Sequence, residues 1–442
     1  MKIQLSDHFT YKRIFLFTIS SIIMMVFSSI YGIVDGLFVS NFVGKDAFAA
    51  VNFIYPFILI LGTVGFMFGT GGSALVAKTL GEAKKEKANQ LFSLFIYVTI
   101  ISGIIIAIAG ILTIKPITSL LGADGLLLEN SVKYGRILLI GLPFYMLQIE
   151  FQSFYVTAEK PHLGLAITVI SGVTNMILDA LLIAVFKLGI QGAAIATISS
   201  QILGSTISLI YFASKNKSLL RLSKFKYDGK SLLKAATNGS SELMSNISMN
   251  LVGMLYNIQL LKYIGEDGVS AYGVLMYVCM IFLSIFIGFS IGIAPVIGFN
   301  HGAKNHVELK NVYRKSLIIT IVSSVLMTVL SLFFADPLAK LFVGYDVDLF
   351  NLTKRAFFIF SFSYLFSGMA IFGSSFFTAL NNGLISALIS FLRTLVFQIA
   401  AVFLLPLVLD VDGIWLSVVV AELMAAVFSI IFLITKRKTY HY

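Results

Sequence analysis

Among 442 residues there is a single cysteine, Cys279, so the chain has no internal disulfide and no thiolate cluster. Charge is also scarce. Asp, Glu, Lys and Arg together make 12% of the residues, about half the share of a soluble domain. The five histidines (His8, His162, His301, His306 and His441) fall in expected loops or tails, and none has zinc-ligand spacing. No Walker A sequence occurs, so ATP is not the direct energy source. What the chain does have is apolar residues: 58% are hydrophobic, with 40 Phe and 35 Gly, and the mean hydropathy is +0.94. This is the composition of a polytopic membrane protein whose helices pack closely and bend. The net charge of +11 then reflects topology and acidic lipid headgroups rather than nucleic acid.

Twelve segments reach the roughly 20 residues that a membrane crossing needs, from 13–42 to 412–435. The apolar run at 14–33 is too long for a signal peptide and has no small-residue cleavage site after it, so it reads as an uncleaved first helix. Most connections are short; the longest hydrophilic one is 215–230. Lys and Arg concentrate on the connections that share a side with the N-terminus, whereas the opposite side carries acidic or mixed turns such as GKD (44–46) and DVD (410–412). The expectation is that both termini are cytoplasmic. Short loops and no targeting extension suggest the plasma membrane of a prokaryote.

The sequence also repeats. One constant offset lays "NFVGKDAFAA" over "KYIGEDGVSA", matching Gly44 to Gly265. It lays "GTGGSALVAKTLGEAK" over "SIGIAPVIGFNHGAKN", matching Gly71 to Gly292 and Gly81 to Gly302. It also matches Thr157 to Thr378 and Gly192 to Gly413. The expected architecture is all-α, with two six-helix bundles related by a parallel repeat. The N-lobe is 1–214, a basic cytoplasmic linker 215–232 and the C-lobe 233–442. Two such bundles can rock around a central cavity and open it to alternate sides.

Over nearly its whole length the chain resembles the multidrug and toxic compound extrusion (MATE) family, bacterial and archaeal branch. The stretches that carry the resemblance are "DGLFVSNFVGKDAFAAVNF", "TAEKPHLGLAITVISGVTNMILDALL", "LGIQGAAIATISSQ" and "GFNHGAKN". It implies a first-half cation site made of Asp35 in "VDGLFVS", Asn175 and Asp179 in "TNMILDA", and Thr197 in "AIAT". Some relatives use a second site with acids on helices 7 and 10. Glu242 fits the first of these, but helix 10 holds no carboxylate here. Under the repeat, Asp35 overlays Tyr256 and Asp179 overlays Ala400, so the acids are concentrated in the first half.

The chemistry of these residues supports the same reading. Asp35 and Asp179 interrupt apolar runs, where a carboxylate is costly unless it is paired, protonated or wet. Asn175 and Asp179 are spaced i, i+4 and share a helix face. Two carboxylates together in a low dielectric hold a proton or a cation between them. Carboxylate, amide and hydroxyl oxygens suit Na⁺ and equally form a proton relay. The structural alternative is that these side chains pin helices together. Glu150, after Pro143, is a candidate cavity residue that would attract cationic substrates, or else it sits at the cytoplasmic mouth. Glu242 either serves the cavity or complements a helix dipole. Tyr31 and Tyr256 are candidate aromatic walls for flat organic cations, together with Tyr55, Phe154, Tyr155, Tyr272 and Tyr277. Arg393 and Glu422 are expected to pair.

The expected function is that of a secondary active antiporter exporting amphipathic, cationic compounds in exchange for H⁺ or Na⁺. It would act as a monomer in the lipid bilayer, with no cofactor and no catalysis. The rivals are a lipid-linked saccharide flippase of the same superfamily, an intramembrane enzyme and a passive channel. The enzyme lacks a buried His or an acid-rich metal motif, and the channel lacks a ring of pore charges.

Overall fold

Segments that are apolar on every side must satisfy their backbone groups internally, and a helix does so within one segment. The computed structural model describes residues 3–442, whose regular structure is all helical, with no strand among them. The first half contains α1 (Tyr11–Val43), α2 (Asp46–Gly81), α3 (Lys85–Leu120), α4 (Gly125–Thr157), α5 (Pro161–Val185) and α6 (Gly189–Ala213). A short amphipathic helix, Gly229–Asn238, follows. The second half contains α7 (Ser240–Tyr263), α8 (Glu266–Gly302), α9 (His306–Val343), α10 (Val347–Ser361 with Tyr364–Ala379), α11 (Gly383–Leu404) and α12 (Pro406–Thr435). Ten of these helices are long and apolar enough to cross a membrane, and bent α10 makes an eleventh. The twelfth, α7, has the length but carries Glu242, Asn246, Asn250 and Gln259, which lower its hydropathy.

Two expected spans are broken. The segment 233–263 divides at Gly239, where an added Cβ would lie 2.0 Å from the Met67 carbonyl oxygen. Beside it the Asn238 amide donates to Thr378 O at 2.9 Å. The short helix therefore straddles the start expected for the second half at 233. The segment 351–379 bends by 47° between Ser361 and Tyr364. Ser361 Oγ donates to Phe357 O and also meets Ser331 Oγ, and hydroxyls bonded to their own helix favour bends. Prolines do not break the helices. Pro56, Pro116, Pro143, Pro295 and Pro337 lie inside them, where neighbouring helices can satisfy the freed carbonyls.

Exposed apolar stripes face outward. On α3, Ile101, Ile105, Ile108 and Leu112 recur at helical spacing and are all exposed, as a lipid-facing surface requires. Inside, one core is drawn only from residues 38–198 and another only from 252–418. At the end carrying the N-terminal segment and the C-terminal residues, the two halves share a core, in which Phe9, Phe17 and Val156 join Val296, Phe376 and Tyr442. The halves therefore meet at one end and have separate cores toward the other.

Glycines permit that meeting. An added Cβ at Gly81 would lie 2.0 Å from the Phe299 carbonyl oxygen, and one at Gly302 would lie 2.0 Å from that of Lys78. The repeat that overlays Gly81 on Gly302 also overlays Lys78 on Phe299, so the two contacts are one contact made twice. The N-terminal segment crosses the same seam. Leu5 N donates to Glu159 of the first half, and Phe9 N donates to Glu308 of the second, both at 2.8 Å.

Candidate cation-coupling site

α1 packs along α5, and Gly172 sets how closely. A Cβ there would lie 2.4 Å from Phe27 Cε1 and 3.2 Å from Tyr31 Cδ1. Further along, both helices change winding. α1 passes into a π-helical turn at Val39–Val43 and α5 into one at Ala180–Val185. Such turns leave the regular ladder and often mark functional positions. Asp35 lies one turn before the first, and Asp179 is the last α-helical residue before the second.

The two carboxyls lie within electrostatic reach of each other across this contact. Asp179 is fully buried and Asn175 is 1% exposed. Among the described residues, no hydrogen-bond partner reaches Asp35 Oδ1, either Asp179 oxygen or either end of the Asn175 amide. Buried polar groups without partners are uncommon, and each calls for an explanation. Asn175 and Asp179 therefore fall on one face of α5, as their spacing implies, and Asp35 joins them from α1.

Thr197 is on neighbouring α6. Its hydroxyl donates to Ala193 O at 3.0 Å, so its proton is taken within its own helix. It lines a small cavity of about 10 Å³ with Tyr55, Tyr145 and Gln201, near the minimum volume for one water. Tyr31 and Tyr55 lie within electrostatic reach of Asp35, and Tyr134 within reach of both acids. The Tyr134 hydroxyl is buried without a partner. Tyr134, Tyr145 and Gln201 were missed from sequence. Only Gln201 left a signal, being spaced i, i+4 from Thr197.

Glu150 is fully enclosed within the first half beside Thr99, and neither of its oxygens has a well-formed hydrogen bond among the described residues. Its Cα packs against Gly69 in the π-helical turn Phe68–Gly72. Tyr256 is likewise enclosed, at 2% exposure. Its hydroxyl donates to Gln398 at 2.8 Å, and its ring stacks on Tyr272. Where the first half holds Asp35, the second half thus has a satisfied, neutral pair. Glu242 is half-buried within reach of Arg393. The Arg393 Nε donates to both Glu422 oxygens, at 3.0 and 2.9 Å, as expected of these two residues.

An acid pair in one half of a duplicated helical bundle is a pattern that known proteins can be compared against. The family model described as MatE matches twice, at residues 20–181 and 243–404. The chain belongs to the MatE family. Curated relatives include the multidrug export protein MepA of Staphylococcus saprophyticus, 25% identical over 97% of this chain and 95% of that protein. MepA of Staphylococcus haemolyticus is 26% identical over 81% and 80%. Among solved structures, a MATE protein in complex with MaL6 superposes with a TM-score of 0.93, at 21% identity over 98% of both chains. The outward-facing conformation of a multidrug resistance MATE family transporter superposes at 0.92, at 21% identity over 98% of this chain and 97% of that one. These structures establish the MATE fold for this chain, an all-α multi-pass membrane protein with an internal repeat.

Proposed function

We propose that this MatE-family protein is a secondary antiporter that exports amphipathic, cationic organic compounds in exchange for H⁺ or Na⁺. The observation that carries the coupling is the Asp35–Asp179 pair. Two facing carboxyls without protein partners need a proton or a cation between them. The Asn175 amide and Thr197 hydroxyl add oxygen donors suited to Na⁺. The export role is supported by the family and by the names of the MepA relatives.

In this reading both termini are cytoplasmic in a bacterial plasma membrane, and the joined end of the molecule faces the cytoplasm. The site is then loaded from outside. Binding of the cation removes repulsion between α1 and α5, shifts α1 toward its π-helical turn and favours the inward-facing state. One charge crossing 100 mV supplies about 2.3 kcal/mol, and a tenfold gradient adds about 1.4 kcal/mol.

Proteoliposomes loaded with a fluorescent organic cation, under an imposed Na⁺ or pH gradient, test this. Wild type should respond to one gradient, which names the ion, and Asp35→Asn should lose the response. Transport by wild type that ignores both gradients would reject antiport. An unchanged Asp35→Asn response would make Asp35 structural.

A further inference from the structure

The seam where the two halves meet holds a cavity of about 880 Å³ at the end that carries the N-terminal segment and the C-terminal residues. Its wall is built from both halves, with Lys78, Glu82 and Lys84 on one side and His301, Lys304 and His306 on the other. The charges do not balance. Glu82 is the only acid in the lining, and it is already paired with Lys84 at 2.8 Å. Lys78 and Lys304 make no ion pair among the described residues, and Lys234 of the short helix adds to the field at Lys78.

The nearby acids are engaged or face away. Glu308, at the start of α9, is occupied by His8, Phe9 N and Asn311, and Glu86 is exposed on the first turn of α3. His301 Nδ1 is buried with no partner. Its ring meets Tyr440, and His306 meets His441, so the C-terminal residues close one side. α3 and α9 both begin at this rim, and the first turn of α3 has no side-chain cap.

Across the seam the positive field of Lys78 and Lys234 reaches His301 of the other half, and like charges gathered there repel. They lie beside the reciprocal Gly81 and Gly302 contacts, where the halves are packed backbone to backbone. An anion between them turns this repulsion into a bridge. Ammonium groups, an imidazole N–H and uncapped helix amides are donors that suit a phosphate oxyanion. The volume also leaves room for an organic group attached to it.

We propose that this cavity binds a phosphate-type anion, contributed either by inorganic phosphate or by a lipid headgroup, which clamps the two halves together at this end. Binding stands on the cavity alone. That the clamp holds one transport state rests on the alternating-access reading above, and a binding assay separates the two.

Purified full-length protein in neutral detergent is titrated with inorganic phosphate at constant ionic strength, and its thermal unfolding midpoint is followed. In parallel, the protein is placed in nanodiscs of zwitterionic lipid with or without phosphatidylglycerol. Phosphate should raise the wild-type midpoint. Lys78→Gln and Lys304→Gln should each weaken the apparent affinity about tenfold, and Lys78→Arg and Lys304→Arg should retain it. A response to phosphatidylglycerol but not to phosphate, lost in the same Gln variants, assigns the anion to a headgroup. A response shared equally by wild type and the Gln variants, or no response to either source, overturns the proposal. Lys304 is exposed, so its arm decides the matter if Lys78→Gln fails to fold.

Discussion

Asp179 lies wholly inside the protein, and among the described residues none donates a hydrogen bond to it. Under the coupling role proposed above this carboxyl would hold a proton or a cation, and the neighbouring amide offers a way to tell whether ligation matters. A hydrogen bond or ligand contact to a charged partner is worth about 1.5–3 kcal/mol. Asn175→Ala should therefore weaken the dependence of transport on the coupling ion roughly 10- to 150-fold. The dye-efflux assay, repeated over a range of ion concentrations, reads that change, and an unaltered ion dependence would place Asn175 outside the site. The Arg393–Glu422 pair is the contrasting case, a buried acid satisfied by a half-buried guanidinium. Arg393→Leu leaves a bare acid and should cost about 3–5 kcal/mol, while the double change Arg393→Leu with Glu422→Leu should recover most of it. Thermal unfolding of the two variants measures the difference. The sequence shows these residues because a charge in an apolar run stands out. It does not show Tyr134, since one aromatic among many in a membrane helix carries no mark of what it faces.

At the scale of single helices, the π-helical turns at Val39–Val43 and Ala180–Val185 were not legible. "VSNFV" and "ALLIAV" are apolar or small enough for any helix, and one extra residue per turn leaves hydropathy unchanged. The bend in α10 was hidden for the same reason. The closeness of α1 to α5 depends on Gly172, where a methyl group would run into Phe27 and Tyr31. Gly172→Ala should cost about 1–3 kcal/mol through overpacking and lower gradient-driven efflux, because Asp35 moves away from Asp179. Normal stability with normal efflux would show that α1 has slack there. The short helix Gly229–Asn238 is capped by Asp228, whose carboxylate accepts from Ser231 N at 3.0 Å and Ser231 Oγ at 2.8 Å. The Ser231 backbone N–H, and then its hydroxyl, hold this carboxyl below its usual range. The cap is therefore fully formed near neutral pH and lost as pH falls through that lowered value. Asp228→Ala should cost about 1 kcal/mol at neutral pH and progressively less in acid, as unfolding measured at several pH values would reveal.

For the whole molecule, the closed end rests on two contacts related by the repeat, Gly81 on Phe299 and Gly302 on Lys78. A side chain at either glycine meets backbone, which cannot rotate away. Gly81→Ala and Gly302→Ala should each disfavour this closure by about 1–3 kcal/mol, which is roughly a 5- to 150-fold shift between facing states. Spin labels on the two halves at this end would report a longer distance. An unchanged distance would mean that the seam yields elsewhere.

The sequence by itself determined that the chain crosses a membrane many times, that it is a duplication, and that its intramembrane acids lie mainly in the first half. Hydropathy, a constant offset and isolated charges are local or periodic signals, and each can be read along one dimension. Only the tertiary structure decided that Asp35 faces Asp179, that Tyr256 satisfies Gln398, that Glu150 is enclosed, and that the two halves join at one end. Those outcomes depend on how closely two helices approach and how each is rotated. Approach and rotation are set by packing between residues far apart in the chain, and by winding changes that leave the residue types unaltered.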